Sequence, residues 1–446
     1  MNLKRRFQMS DIKERSKKYN LHSWSAQGAL NPMVVTKAEG IYFWDEDGNK
    51  YYDMSAQLVN SNLGHGNRAL IEAIKDQAEK MPFMGPGYAV DVRSDAAEAL
   101  VKLSGMENAK IFFTNAGAEA NENAIKMAKA YTGRWKILSM QRCYHGATAG
   151  AGMLTGEPRH FSNEPGPAGF VKFEGPYPYY ANKSVKFEND QDIADYYLDI
   201  LKKAISTEGA HQIAAIFVET IVGSNGILIP PKQYLQGMQK ICNENGIMLV
   251  CDEVMAGFYR TGKAFAFHNF DIQPDLVTTA KGATCGYVPL GAVIVSEKIQ
   301  KFFDNNKMFC GLTYNAHPMG CAVTVAAIKE YARLDVPGNV ARVGKVLGEL
   351  LEDLKSKHKC VGDVRYIGLF SGVELIRAPH VPIVPFNQDP EGLMAKIVGM
   401  LKKEGFSTYS HESVLIVAPP LVITEEELRA GIAILDRVLD SVDTMI

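Results

Sequence analysis

Five short apolar runs, "WKILSM", "IAAIFVE", "GIMLVCDE", "DLVTTA" and "GAVIVS", constrain this chain more than any other feature. Each has strand length and largely lacks the apolar-polar alternation of a half-solvated strand. Strands of that kind are buried on both faces. From about residue 66 they alternate with amphipathic stretches of helical period, among them "NRALIEAIKDQAEKM", "VRSDAAEALVKL" and "EANENAIKMAKAY". The pattern predicts an α/β fold: a mainly parallel sheet covered by helices on both sides.

At 446 residues the chain exceeds a single core, so a second, smaller unit is expected. That unit begins near Val336, with a helix over 338–357, strands around "VRYIGLFSGVELI" and "VLIVAPP", and helices at 390–404 and 424–440. "GIYFWDEDGNKYYDMS" places two aromatic half-strands around Asp47-Gly48, a hairpin signal. The division expected is an arm and hairpin over 1–60 packing with the small domain, a large domain over 61–330, and the small domain over 331–446. Residues 166–190 are rich in Pro, Gly and Tyr and read as a loop without period.

A net charge of −2 argues for neither nucleic acid nor an anionic membrane as partner. The basic segment at residues 1–20 has no apolar core of a secretory signal and reads as a solvated arm or helix. No apolar run reaches spanning length. Seven scattered cysteines without a CxxC pair fit reduced thiols, hence a cytoplasmic location, and nothing suggests a metal site.

Lys281 is the one charged residue between Leu276 and Val293. A desolvated lysine has a lowered pKa, which frees its amine to form a Schiff base. Upstream, "GIMLVCDEVMAGF" ends a buried run in Asp252-Glu253, where ligands of open α/β sheets bind, although aspartate there also serves as a simple turn cap. Asn115 to Ala118, small residues between a strand and a helix, leave N–H groups open to a phosphate; they serve equally as a plain β-α turn. Tyr144 and His145 follow another strand and could cover a flat ligand or simply pack in the core. Together these groups match what pyridoxal phosphate requires: an amine, a carboxylate for the ring nitrogen, an aromatic cover and a phosphate cradle.

"VETIVGSNGILIPP", "CDEVMAGFYRTGKAFAF", "PDLVTTAKGATCGYVPLGAV" and "GLTYNAHPMGCA" resemble, in order and spacing, the class III pyridoxal-phosphate aminotransferases of fold type I. The resemblance runs from about Gly40 to "VLIVAPPLVITEEEL". It implies that Lys281 carries the cofactor and then shuttles protons, and that Asp252 pairs with the ring nitrogen. It further implies that Tyr144 and Val254 pack on the two ring faces, and that Gly117 and Ala118 bind the phosphate through backbone N–H groups. Thr313 would reach the phosphate of a second subunit, which implies a homodimer with shared active sites. Glu219 takes a position near the substrate pocket that the family associates with a gating salt bridge.

The chain departs from the family at Ala116, Met255 and Ile416, the last standing where many members carry an arginine for an α-carboxylate. "HSWSAQG", "MSAQLVNSNLGHG" and "DEVMAGF" resemble the ω-aminotransferases of taurine and β-alanine. A guanidinium suits a sulfonate or carboxylate. Arg159 of "LTGEPRHF" is therefore the expected distal anion site, and Trp24 of "HSWSAQG" a second substrate-binding candidate. The expected reaction moves the amino group of taurine, or a similar ω-amino acid, to 2-oxoglutarate; pyruvate as acceptor and an aminomutase are the alternatives.

Overall fold

The computed structural model describes residues 9–181 and 185–446. Residues 1–8 of the basic N-terminal segment lie outside them, and Met9–Tyr19 is a helix.

Strands β1 (Val35–Glu39), β2 (Tyr42–Asp45) and β3 (Lys50–Asp53) form an antiparallel meander. The turn between β2 and β3 has Gly48 at φ 83°, a conformation glycine adopts without steric cost. The central sheet holds β4 (Lys110–Thr114), β5 (Lys136–Met140), β6 (Phe170–Phe173), β7 (Ile213–Glu219), β8 (Met248–Asp252), β9 (Leu276–Thr279) and β10 (Gly291–Val295). Its spatial order is β4-β10-β9-β8-β7-β5-β6. The pairs from β9 to β6 are parallel, and β10 runs antiparallel to both of its neighbours.

The absence of alternation has a direct cause in the packing. Ala215 and Phe217 of β7, with Met248 and Val250 of β8, enter one core beneath the Gly117–Thr132 helix. Their neighbours Ile216, Val218, Leu249 and Cys251 enter the other. Every residue of β7 to β10 is buried. β6 differs from expectation: it is a parallel edge strand inside the segment read as a loop. It is four residues long and only its last residue is buried, so "FVKF" carries little strand signal.

The C-terminal part holds β11 (Val361–Ile367), β12 (Phe370–Ala378), β13 (Val381–Pro382), β14 (Phe406–Ser407), β15 (Ser410–His411) and β16 (Val414–Val417). β14 pairs with β3, which ties the N-terminal meander to this part of the chain. All seven cysteines are free. No helix among the described residues is long and apolar enough to cross a membrane.

His358 follows the Val336–Lys357 helix and is pinned against the Glu425–Asp443 helix. Its Nδ1 lies 2.8 Å from Asp443 and its Nε2 2.8 Å from Asp436. Carboxylates only accept, so both ring nitrogens donate and the imidazole is cationic. Burial opposes that charge, but the two aspartates prevail and the pKa is raised above its ordinary value. A raised folded-state pKa gives stability that is full below the unfolded value of about 6.5 and is lost as pH rises through the folded value. Wild type is therefore expected to lose about 1 kcal/mol between pH 6 and pH 9 relative to His358→Gln in urea unfolding. Parallel pH curves for the two proteins would contradict this.

Candidate active site

Strand register brings the candidate residues together. Glu219 at the end of β7 faces Asp252 at the end of β8, and Asp252 faces Thr278 of β9. Lys281 stands just past the end of β9. These carboxyl-terminal strand ends are where open α/β sheets bind ligands. Here they border a cavity of about 1060 Å³.

Lys281 lines that cavity in the left-handed backbone region, at φ 30°. For a side-chain-bearing residue this costs roughly 1–3 kcal/mol, and such strain concentrates at active sites. Burial lowers its pKa to about 8, a fall that the nearby carboxylates of Asp252 and Glu219 limit. The amine is thus available near neutral pH.

Asp252 is buried and receives three donors. Asn121 Nδ2 and His145 Nδ1 both donate to Oδ2 at 2.8 Å, and the Val254 N–H donates to Oδ1 at 3.0 Å. A carboxylate so held is fixed in direction. His145 therefore orients Asp252 rather than covering a ligand, and its ring edge packs on Phe217. Burial pulls the imidazole's pKa down, but Cys143 and Asp252 outweigh burial and raise it. Glu253, next in sequence, is purely structural: it accepts from Thr220 Oγ1 and from the N–H groups of Ala266 and Phe267.

Gly117 and Ala118 line the cavity at the start of the Gly117–Thr132 helix, where the first N–H groups have no intrahelical partner. A Cβ at Gly117 would lie 2.7 Å from Val254 Cγ2, so only glycine allows Val254 to sit against this turn. Tyr144 and Val254 also line the cavity. Their donors, faces and charge fit pyridoxal phosphate: open amides for its phosphate, Tyr144 and Val254 for its ring, Asp252 for its nitrogen and Lys281 for its aldehyde. Thr313 is exposed and lies outside this cavity.

Arg159 and Trp24 both reach the cavity. Arg159 is held rigidly: Nε donates to Glu157, Nη2 donates to Ser224 Oγ at 2.9 Å, and the guanidinium lies 3.8 Å from the Tyr144 ring centroid. Its ion-pair partner is Glu157. Glu219, the residue associated with a gate, instead accepts the backbone N–H groups of Tyr144 (2.7 Å) and Gly223 (2.8 Å). Both of its oxygens are thereby engaged. Burial raises its pKa to about 6.

Ile416 also differs from its expected place. It is fully buried in β16, paired with Gly372 of β12, and does not line the cavity. From that part of the chain Tyr409, Ser410 and His411 reach the cavity instead. The hairpin from β15 to β16 turns the preceding strand, not "VLIV", toward the site.

Sequence reasoning missed Asn121, Glu157, Ser224 and His411. Asn121 left one trace, a polar residue on a helix face otherwise occupied by buried Ala120 and Ala124.

The family model for class III aminotransferases matches residues 24–439. The taurine:2-oxoglutarate aminotransferase of Bifidobacterium kashiwanohense, solved in complex with PLP and glutamate, is 42% identical. It superposes with a TM-score of 0.95 over 98% of this chain and 99% of its own. The acetylornithine aminotransferase of Caldanaerobacter subterraneus subsp. tengcongensis is 34% identical, covering 92% of this chain and 95% of that protein. Gamma-aminobutyrate transaminase 1 of Oryza sativa subsp. japonica is 30% identical, covering 91% and 80% respectively.

Proposed function

Since the chain belongs to the class III aminotransferases, which use pyridoxal phosphate, we propose that it transfers the amino group of taurine, or a similar ω-amino acid, to 2-oxoglutarate. The observation that carries this reading is Arg159, a cation fixed in the same cavity as Lys281. A terminal sulfonate or carboxylate binds its planar fork, leaving the substrate's other end at Lys281. The relative from Bifidobacterium kashiwanohense supports the choice of donor and acceptor.

Bound pyridoxal phosphate supplies the electron sink that makes a proton on the nitrogen-bearing carbon removable. Lys281 would hold the group through its amine and, when free, would be placed to move that proton, as a pKa of about 8 permits. Asp252, aligned by Asn121 and His145, would be the group to pair with the ring nitrogen. Tyr144 is fixed from two sides, its N–H on Glu219 and its ring under Arg159. We further propose a cytoplasmic homodimer in which Thr313, outside its own cavity, serves the neighbouring one.

A panel crossing taurine, hypotaurine, β-alanine and 4-aminobutyrate with 2-oxoglutarate and pyruvate tests the assignment. Arg159→Ala is expected to raise the KM of taurine and 2-oxoglutarate about 10- to 100-fold, the loss of one charge-assisted pair. Unchanged constants for both would remove Arg159 from the site.

A further inference from the structure

Among the described residues, the four side chains lining the cavity that can carry positive charge are Lys281, Arg159, His145 and His411. Lys281 is committed to the amine. His145 is committed to Asp252 through Nδ1. Arg159 is one cation, already shared with Glu157. A keto diacid brings two carboxylates, and for the one far from Arg159 the lining offers neutral donors such as Ser410 and one further side chain that can become a cation.

That group is His411. It is the last residue of β15, ahead of a tight turn in which Glu412 sits at φ 48°. Ser413 Oγ fastens this turn by donating to Val384 O and accepting from Val384 N, each at 3.2 Å. The imidazole is mostly buried, and its Nε2 is a buried nitrogen with no hydrogen-bond partner among the described residues. A buried ring nitrogen left without a partner is costly unless something meets it.

Charged groups surround it from several segments, and Asp389 lines a second hollow on which His411 also borders. Arg159 lies on the turn after the Ala149–Leu154 helix, and Arg142 follows β5. Glu412, on its own hairpin, has Oε1 4.0 Å from His411 Nε2, while Oε2 is paired with Arg142 at 3.0 Å. Tyr409, two residues earlier, is kept neutral by burial. Burial, then Arg159 and Arg142, press the His411 pKa down to about 4, so the ring is neutral at working pH. An anion arriving beside Arg159 offsets that guanidinium's part of the field and favours the protonated ring.

We propose that His411 is the second anion-recognising group of the cavity, protonated when a dicarboxylate binds, so that preference for diacid over monoacid acceptors weakens as pH rises. This rests on the assignment of Arg159 to a substrate anion. The sign follows from linkage: a ligand whose binding takes up a proton loses affinity with rising pH, up to about tenfold per pH unit between the free and bound pKa values.

Glutarate and propionate, unreactive analogues of a diacid and a monoacid, provide the test on the holoenzyme. The ratio of their inhibition constants, glutarate over propionate, is expected to rise several-fold per unit between pH 5.5 and 7.5. In His411→Asn and His411→Gln, each verified as holoenzyme by its cofactor absorbance, the ratio should lose its pH dependence. A flat wild-type ratio overturns the inference, as does an unaltered slope in both variants. If glutarate follows the predicted slope but 2-oxoglutarate yields no glutamate, His411 keeps its role and the acceptor assignment fails. If glutamate forms but the ratio is flat, the reverse holds.

Discussion

Lys281→Ala is expected to lower kcat by about 10⁴-fold or more, because one side chain supplies both the amine that holds the cofactor and the base that moves the proton. No neighbour can substitute. The other cavity side chains that can carry positive charge are Arg159 and two histidines, one bound to Asp252, and none of them is a primary amine able to hold the aldehyde. The fold should survive, since alanine at 281 removes the desolvated amine and breaks no hydrogen bond. The check is spectroscopic as well as kinetic: the variant should show no cofactor linkage that borohydride can trap. A trapped linkage with retained turnover would place the chemistry elsewhere.

Asp252→Asn is the second large effect, an expected fall in kcat of about 10³-fold with the cofactor still attached through Lys281. The carboxamide keeps the shape and removes the charge. It also creates a local conflict, because Asn121, His145 and the Val254 N–H all donate to this carboxylate. Whichever way the amide turns, its NH₂ meets a donor. His145 can relieve part of this by changing tautomer. Asn121 cannot turn freely, since its Nδ2 also donates to His145 O and its Oδ1 accepts from Thr278. A melting temperature lower by several degrees should accompany the loss of rate. Near-normal kcat would show that the charge at 252 is not needed.

The parts of this site legible in the sequence are those set by the chain's own periodicity. A strand buried on both faces must end somewhere, and a charged residue at that end marks the sheet's carboxyl edge; Asp252 and Lys281 stand there. The small residues Ala116 to Ala118 announce a helix start. What escaped reading depends on partners distant in sequence. His145 looked like a ring cover because nothing near it reveals Asp252, 107 positions away. Ile416 was named for its place in "VLIVAPP", but the strand's pairing with β12 buries it and the preceding hairpin delivers His411. Glu157 is two residues from Arg159, yet only the turn around Pro158 brings both carboxylate and guanidinium to one cavity. β6 was lost in a Pro- and Tyr-rich stretch because an edge strand needs little apolar surface.

The central claim is amino transfer in two separate halves, and one single-turnover experiment addresses it. Holoenzyme given taurine without any keto acid should release about one aldehyde per active site and then stop, its absorbance shifted. Adding 2-oxoglutarate should restore the starting spectrum and yield an equal amount of glutamate. Continuous turnover without an acceptor would point to an isomerase. No aldehyde from taurine, hypotaurine, β-alanine or 4-aminobutyrate would contradict the account.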